Sequence, residues 1–277
     1  MRGFKLSKSN PDSSDSGCAT QAEQIQRLES DGFLLLPSFL KTDSVAALSA
    51  VSRERLQAIR AALGTKEIGI GSAAGYDEIV QRSPGRWDVP ITPQQFGMVD
   101  RDMPWWGLIS AILGENAEHS FSGVVSSDPG SPAQHWHTDS PHVAKEHLPA
   151  HAINVFVALH DIPLAMGPTE FARGSHVLSN HLSNPSLVLN ELIYQHKGTV
   201  PETLVTDTET KTPEACAHSM GAGSCLIFDD RLLHRGLGNQ SNNTRHVAYF
   251  AYRRKGYTEN THFESKRSLL EGKMPNI

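Results

Sequence analysis

The first 115 residues contain three stretches with helical periodicity and one compact apolar run. QAEQIQRLESDGF predicts a short helix that ends near Asp31 and Gly32, and FLLLPSFL after it predicts a buried strand stopped by Pro37. Apolar residues at helical spacing in SVAALSAVSRERLQAIRAAL predict a second helix, capped by Asp43 and ended by Gly64. WWGLISAILG predicts a third helix, whose tryptophans are expected in the core or at an interface.

The pattern between the second and third helices is different. Residues 64–100 are rich in glycine and predict a loop rather than regular structure. The segment GIGSAAG has glycines at 69, 71 and 75, which is not the GxGxxG spacing, and no strand-to-helix context surrounds it. A dinucleotide site is therefore rejected.

Short runs rich in Val, Ile, Phe and Tyr begin at about residue 120 and are separated by Gly and Pro turns. They are SFSGVVSS, INVFVALHDI, SCLIFDD and HVAYFAYRR. This pattern predicts an antiparallel sandwich or barrel. Between about 177 and 222 the chain is polar and irregular, which predicts a lid or binding loop. Without a repeat or linker, we expect one domain over 20–277 after a disordered tail over 1–19.

Composition and charge narrow the class of protein. Of 277 residues, 38% are hydrophobic and 20% charged, and the net charge is −5, so no global basic field attracts nucleic acid or anionic lipid. Three cysteines without a CxxC pair argue against a disulfide framework and a thiolate zinc site. No apolar run approaches the roughly 18 residues of a membrane span, and the N-terminus has no apolar signal segment. These features predict a cytoplasmic protein with no nucleic-acid or membrane partner.

The stretch QHWHTDSPH, residues 134–142, gathers three histidines, an aspartate and a glutamine. If it is extended, His135, His137 and Asp139 share one face, because residues two apart in a strand project to the same side. An HxD pair offers a metal ion one imidazole and one carboxylate, and His234, just beyond the apolar run CLIF, is the best third ligand. Two histidines and one carboxylate form the facial triad of non-haem Fe(II) oxygenases.

Such a centre needs an electron source for dioxygen, which a chelating 2-oxo acid can supply. The far carboxylate of that acid needs a buried cation, and the planar fork of arginine binds carboxylate with two hydrogen bonds. Arg245 lies eleven residues after His234 and can reach the same cavity if the chain between them turns back. His135 would be a ligand only if the register slipped, and His176 in GSH is interpreted as a turn residue rather than a ligand.

Four segments occur in a fixed order over about residues 22–255. They are ESDGFLLLPSFL, Gln134-xx-His137-x-Asp139, GPTEFARGSH, and His234-Arg235-Gly236 followed by Arg245. This set resembles the phytanoyl-CoA dioxygenase family of Fe(II)/2-oxoglutarate oxygenases. The HxD pair alone is a weak signal, whereas the ordered set is specific. Together with the switch to short β-rich runs, it implies a mainly β fold. This would be a double-stranded β-helix (jelly-roll, cupin-like) over about 119–254, with helices before residue 115 buttressing one sheet.

The resemblance also implies roles for individual residues. His137, Asp139 and His234 match the iron ligands, and Arg245 matches the residue that binds the distal carboxylate of 2-oxoglutarate. Cosubstrate contacts are implied for three further residues, of which the last is the looser match: Thr169, Gln134 and Arg86. Apart from the resemblance, Trp87 and His142 are candidate substrate contacts, and the alternative for His142 is a histidine in a solvated loop.

Two positions depart from the family pattern. Arg173 stands where proline usually precedes G-S-H, and Met166 stands where asparagine often precedes glycine. Both lie near a turn, so they bear on its shape rather than on the chemistry. Asp139 is present, whereas in related halogenases a small residue replaces it and leaves room for chloride, so halogenation is disfavoured.

The resemblance implies oxidation of a C–H bond of a small organic substrate, with Fe(II), 2-oxoglutarate and O2, and release of succinate and CO2. Similarity to fungal members favours a compact, mostly apolar natural product. The alternatives are an acyl-CoA hydroxylase of the same family, a non-catalytic metal- or ligand-binding jelly-roll, and a zinc hydrolase. Substrate choice is expected to come from the loops 66–104 and 177–222, whose competing role is to pack a homodimer interface.

Overall fold

A computed structural model of the chain describes residues 19–97, 100–183, 213–258 and 267–270. The predicted disordered tail, apart from residue 19, lies outside the described residues, and so do residues 184–212 of the predicted lid. The helices are α1 (Gln21–Asp31), α2 (Thr42–Leu63), α3 (Trp106–Leu113) and α4 (Ser175–Leu178), with short 3-10 turns at Ser72–Ala74, Asp100–Asp102 and Leu164–Met166. The strands are β1 (Phe33–Leu36), β2 (Val80–Ser83), β3 (Arg86–Pro90), β4 (Glu118–Ser127), β5 (Ala152–Ala158), β6 (Thr169–Ala172), β7 (Ala215–Ala217), β8 (Cys225–Asp229), β9 (His234–Gly236) and β10 (Arg245–Arg253).

The strands form two sheets whose pairs are all antiparallel. The larger sheet has the order β1-β8-β5-β10-β4-β3-β2, and the smaller has the order β7-β6-β9. The non-sequential order arises because strands distant in the chain pair with each other, as in a double-stranded β-helix. The predicted mainly β fold is therefore confirmed.

Two hydrophobic cores lie on the two faces of the larger sheet. The outer core joins α2 and α3 to outward residues of the sheet, such as Val155, Ile227 and Phe250. The inner core lies between the sheets and includes Phe228 from the larger sheet and Phe171 from the smaller one. The helices thus buttress one face of the larger sheet, as predicted, and the other face is left for the interior of the barrel.

The alternation of residues along β10 decides which side chains reach that interior. Ala248, Phe250 and Tyr252 belong to the outer core, whereas Val247 belongs to the inner core. Because successive side chains in a strand point to opposite faces, Arg245 has the same inward orientation as Val247. It is buried despite its charge, with 4% of its surface exposed.

The helix α1 begins and ends as its sequence predicts. Thr20 forms a capping box with Glu23, in which each side chain bonds to the other residue's backbone N–H. Gly32 ends the helix with a φ of 81°, and a Cβ there would lie 2.5 Å from Leu232 and 2.6 Å from His176. Glycine is therefore needed at this position both for its φ and for the space it leaves.

Two predictions of local structure were wrong. Helix α2 begins at Thr42 with Lys41 at the N-cap and no side-chain cap, so Asp43 lies in the first turn. A carboxylate is favourable there because the N-terminus of a helix is electropositive. The predicted loop over 64–100 contains the paired strands β2 and β3, and β3 joins the larger sheet through β4. Pairing with a distant strand, which local composition does not reveal, stabilises this segment. None of the helices in the described part of the chain could cross a membrane.

Candidate metal centre and cosubstrate pocket

His137 and His234 lie side by side because their backbones form an isolated antiparallel bridge. Each backbone N–H donates to the other residue's carbonyl, at 2.9 Å and 2.8 Å. The two imidazole rings are 4.4 Å apart between centroids. The bridge therefore joins two segments that are distant in the chain and places their histidines at one point.

Both histidines are fixed in the same tautomer by backbone carbonyls. Nδ1 of His137 lies 2.9 Å from the carbonyl oxygen of His135, and Nδ1 of His234 lies 2.9 Å from that of Leu232. A carbonyl accepts hydrogen bonds and cannot donate, so each Nδ1 carries the proton. The lone pair of each ring is left on Nε2, the atom available to bind a metal.

Asp139 completes a cluster with the two Nε2 atoms. Its Oδ1 lies 4.0 Å from Nε2 of His137, and its Oδ2 lies 3.7 Å from Nε2 of His234. All three ligand atoms lie within 4.8 Å of one another. Two unprotonated imidazole nitrogens and one carboxylate at these separations fit a divalent transition metal.

The surroundings of the cluster differ between its two sides. The aromatic rings of Phe228 and Phe171 lie 5.0 Å and 6.1 Å from the ring of His234, which is buried. Asp139, in contrast, keeps 30% of its side chain exposed. Burial, together with the neighbouring His234, lowers the pKa of His137 to about 4, so this imidazole is neutral and able to bind a metal at physiological pH. The cluster is thus closed on the side of the inner core and accessible at Asp139.

Asn154 on β5 holds the carboxylate of Asp139. Its Nδ2 donates to Oδ2 of Asp139 at 2.9 Å, and the side chain is buried. Asn154 interrupts the apolar run AINVFVA, and a polar residue inside such a run is the signal that could have identified it. Sequence reasoning missed this residue.

A row of three polar residues crosses the larger sheet next to the inner core. Arg86 on β3, Ser127 on β4 and Arg245 on β10 are direct cross-strand partners. All three are buried, with exposures of 1%, 0% and 4%. Nε of Arg86 and Nη2 of Arg245 each donate to Oγ of Ser127 at 3.0 Å. Two guanidinium groups therefore meet at one hydroxyl inside the barrel.

The positive charge of this row has no carboxylate beside it among the described residues. Arg86 also donates to Oγ of Ser83 and to the carbonyl of Leu237, at 3.3 Å and 2.9 Å. In Arg245, Nε and Nη1 are buried with no partner among the described residues. Burial lowers the pKa of Arg245, and the charge of Arg86 lowers it further. A buried cation with two open donors is a site for an anion.

Gly236 allows the smaller sheet to approach this row. A Cβ at Gly236 would lie 2.8 Å from Oε1 of Gln134 and 2.9 Å from Cζ of Arg86. The backbone N–H of Gly236 donates to Oε1 of Gln134 at 3.0 Å, and Gly236 pairs with Thr169 across β6 and β9. The structure thus brings Gln134, Thr169 and Arg86 together around one glycine.

Other residues singled out in the sequence lie elsewhere. His135 is exposed. Its backbone carbonyl accepts from His137, and its ring is not part of the metal cluster. Trp87 points to the face of the sheet opposite Arg86, where its Nε1 donates to Asp128 at 2.7 Å. The ring of His142 is buried 6.2 Å from that of His147, near Arg231. Nε2 of His176 lies 3.0 Å from the carbonyl oxygen of Glu29 in α1, and because a carbonyl only accepts, this Nε2 carries the proton and donates.

Ser127 was missed in the sequence, although a signal for it exists. In SFSGVVSS the inward positions are Phe121, Gly123, Val125 and Ser127, which alternate as the pleat requires. The last of them lies directly between the two arginines once the register is known. Register between distant strands is the information that the sequence alone does not supply.

The chain is similar to a known protein family and to several solved structures. The family model described as Phytanoyl-CoA dioxygenase (PhyH) matches residues 28–247. The fold is similar to that of AviO1 from Streptomyces viridochromogenes Tue57, with a TM-score of 0.60 at 16% identity, covering 89% of this chain and 100% of that one. HygX from Streptomyces hygroscopicus, solved with nickel and 2-oxoglutarate bound, gives 0.57 at 15% identity over 88% and 91%.

A third similar structure is SnoN, described as a non-heme alpha ketoglutarate dependent epimerase from nogalamycin biosynthesis. It gives a TM-score of 0.52 at 18% identity, covering 84% of this chain and 82% of that one. At these identities the structures share the fold with this chain. The family match, in contrast, spans most of the chain and includes the metal cluster and the arginine row, so the chain belongs to the phytanoyl-CoA dioxygenase family.

Proposed function

We propose that this protein is an Fe(II)- and 2-oxoglutarate-dependent oxygenase that oxidises a C–H bond of a small organic substrate. The observation that carries this proposal is the pairing of two sites in one barrel. The first is the cluster of His137, Asp139 and His234, and the second is the buried guanidinium of Arg245 with two open donors. A zinc hydrolase has no need of the second site.

The three clustered residues would hold the iron. Nε2 of His137, Nε2 of His234 and one oxygen of Asp139 are the donors, and the backbone bonds to each Nδ1 keep the rings in place. Three protein ligands leave three positions of an octahedral ion open. Bound iron, with 2-oxoglutarate and O2, supplies the oxidising power, and succinate and CO2 are released. Asp139 occupies the position that halogenases leave open, so halogenation remains disfavoured.

Arg245 would bind the distal carboxylate of 2-oxoglutarate. Its burial and its open donors suit a carboxylate, because the planar guanidinium can bind both oxygens of that group. Gln134 and Thr169, which contact Gly236 two residues after His234, are proposed as further contacts to the cosubstrate. The second cation, Arg86, adds to the attraction for a dianion.

A small natural product is the substrate class that we favour. Three inward-facing apolar side chains remain partly exposed in the barrel and suit a mostly apolar molecule: Phe121, Val125 and Phe156. HygX has been solved with hygromycin B bound, and SnoN with nogalamycin RO. These similarities of fold support a role in natural-product biosynthesis. The segments 66–104, which includes the strands β2 and β3, and 177–222 are proposed to choose the substrate, with His142 as a proposed contact; Trp87 faces the outer core instead.

The deciding experiment measures succinate formed from 2-oxoglutarate. The purified chain is loaded with Fe(II) and supplied with 2-oxoglutarate, O2 and a panel of natural products. We expect succinate that depends on iron, O2 and substrate, and none from the His234→Ala variant. Turnover without 2-oxoglutarate would favour a hydrolase, and tight binding without turnover a non-catalytic jelly-roll. Product analysis distinguishes hydroxylation, desaturation and rearrangement from epimerisation, the activity named for SnoN.

A homodimer and a cytoplasmic location are further proposals. The dimer proposal is supported by the polar, irregular sequence of residues 177–222, which can pack against a second copy, and the location by the sparse cysteines of the chain. Light scattering of the purified protein measures the first. A monomer across the working concentration range would remove the dimer from consideration.

A further inference from the structure

We propose that the hydroxyl of Ser127 is a third hydrogen-bond donor to the distal carboxylate of the cosubstrate, and that Arg86 positions it for this purpose. The inference rests on the proposed function, because it assumes that the anion beside Arg245 is 2-oxoglutarate. It assigns a binding role to a serine that lies outside the segments resembling the family.

The valence of the hydroxyl group limits the direction in which its proton can point. A serine Oγ has one proton to donate and two lone pairs that accept. A guanidinium donates only, so the bonds from Nε of Arg86 and Nη2 of Arg245 occupy both lone pairs of Ser127. The proton must therefore point in the remaining direction. The described residues provide no acceptor for it.

Burial makes this open proton informative. Ser127 has none of its surface exposed, so water does not readily replace a missing acceptor. Arg245, which donates to Ser127 through Nη2, also has two buried nitrogens, Nε and Nη1, without partners among the described residues. A carboxylate that pairs with Arg245 lies beside Ser127, and its two oxygens can accept from all three donors.

Arg86 acts on the anion through its bond to Ser127. Three bonds, to Ser127, Ser83 and Leu237, hold its guanidinium in place. Gly236 leaves the room for it, since a Cβ there would lie 2.9 Å from Cζ of Arg86. By occupying one lone pair of the hydroxyl, Arg86 prevents Ser127 from turning its proton away from the anion. We therefore describe Arg86 as a positioning residue.

The test compares two ligands that differ only at the far end. One is 2-oxoglutarate, and the other is 2-oxopentanoate, a 2-oxo acid of the same length that lacks the distal carboxylate. Their dissociation constants are measured by calorimetry on the Fe(II)-loaded protein without oxygen. A hydrogen bond to a charged group affects affinity by about ten-fold to a hundred-fold. We expect Ser127→Ala to raise the dissociation constant of 2-oxoglutarate by about that factor and to change that of 2-oxopentanoate by less than about two-fold.

The matched control is Ser126→Ala. Ser126 is equally buried on the same strand but faces the opposite side, where Arg60 approaches it. We expect it to change neither constant, and Ser127→Thr to restore the binding of 2-oxoglutarate. Unchanged 2-oxoglutarate binding in Ser127→Ala, or equal loss of both ligands, overturns the inference. A wild-type protein that binds no 2-oxoglutarate overturns the proposed function instead. If Ser127→Ala does not fold, Ser127→Cys is used in its place, with the same criteria.

A double-mutant cycle tests the role of Arg86. Arg86→Lys keeps the charge but loses the bond from Nε to Ser127. If Arg86 acts through the serine, Arg86→Lys weakens the binding of 2-oxoglutarate when Ser127 is present. It has little further effect on this binding when Ser127 is already alanine. Additive losses in the two backgrounds overturn the positioning role and assign Arg86 an independent effect on the anion.

Discussion

Nδ2 of Asn154 donates to Oδ2 of Asp139 at 2.9 Å, and this bond leaves Oδ1 as the unbonded oxygen of the carboxylate. Asn154 is buried on β5, a strand in the middle of the larger sheet, whereas Asp139 is partly exposed. A rigid strand thus orients the one ligand of the cluster that is not fixed by a backbone carbonyl. Residues that orient metal ligands in this way tune the affinity for the metal.

Asn154→Ala should therefore weaken metal binding while leaving the fold intact. The expected loss of affinity is about ten-fold to a hundred-fold, because Asp139 gains rotational freedom before it binds. Titration with Mn(II) or Fe(II) measures it. Ser122→Ala is a suitable control, since it removes another buried hydrogen bond, to the carbonyl of Ile91, on the outer face of the larger sheet. Equal metal affinity in Asn154→Ala and wild type would show that Asp139 needs no such support.

Removal of any one member of the cluster should abolish turnover. His137→Ala, Asp139→Ala and His234→Ala each leave two ligands, which hold a divalent ion weakly. We expect metal content after purification and dialysis to fall below stoichiometric in all three variants. A variant that keeps full metal content and full activity would remove that residue from the proposed ligand set.

Arg245→Ala should raise the KM for 2-oxoglutarate severely. Removing one partner of a buried ion pair costs about 3–5 kcal/mol, because the other charge is left without compensation. Arg245→Lys should restore only part of the affinity, since an ammonium lacks the planar fork. Arg253→Ala, on the same strand but in an ion pair with Glu118 at the surface, is the control and should have little effect. An unchanged KM for 2-oxoglutarate in Arg245→Ala would contradict the assignment.

The features that could be predicted from the sequence are those with a clear pattern in a short segment. The pattern of β-rich runs predicts the strands β4, β5, β8 and β10, and the HxD spacing with a later histidine predicts the metal cluster. The strands β6, β7 and β9 are three or four residues long, so their periodicity is too short to detect. Their pairing depends on contacts with distant segments.

The supporting residues could not be predicted for a related reason. Asn154 and Ser127 are ordinary polar residues within strands, and their importance depends on which residue lies opposite in the sheet. Trp87 shows the opposite case, a residue that was predicted at the site and lies outside it. It follows Arg86 in sequence but faces the outer core, because neighbouring residues in a strand point to opposite sides.

Acid should destabilise the protein through its buried histidines. Burial, with the charge of Arg231 as the next cause, lowers the pKa of both His142 and His151 to about 4. The unfolded chain, with histidine pKa values of about 6.5, therefore binds more protons than the folded protein between about pH 6.5 and 4. Stability is fully present above that window and is lost as the pH falls through it, by about 1–2 kcal/mol for each histidine at pH 5.

The histidine contribution can be isolated with His142→Gln. Burial raises the pKa of Asp230, which acts in the opposite sense, so the total pH dependence alone does not identify the histidines. Urea unfolding at pH 7.5 and pH 5.0, in the presence of a chelator, gives the free energy of unfolding for both proteins. We expect a smaller loss between the two pH values in the variant. An equal loss would mean that His142 does not contribute.

The described C-terminal segment, residues 267–270, should stabilise the region that precedes Arg86. The backbone N–H of Leu269 donates to Oε2 of Glu78 at 2.8 Å, and the hydroxyl of Ser268 donates to Oε1. Leu269 is itself buried in the outer core, and Nη2 of Arg267 donates to the carbonyl of Gly75 at 2.9 Å. Glu78 is nearly buried, with 9% of its surface exposed, so its carboxylate depends on these donors.

Deletion of residues 267–277 should therefore lower the free energy of unfolding by about 3–5 kcal/mol. Each lost hydrogen bond to a buried charge costs about 1–3 kcal/mol, and exposure of a buried leucine adds about 1.5–3 kcal/mol, part of which is recovered as Glu78 becomes hydrated. The control is deletion of 271–277 alone, which leaves these contacts in place and should cost much less. Because β2 begins at Val80, directly after this anchor, the longer deletion should also weaken 2-oxoglutarate binding through Arg86. Equal stability of the two truncated proteins would show that Glu78 finds other partners and that the C-terminal contacts do not hold this region.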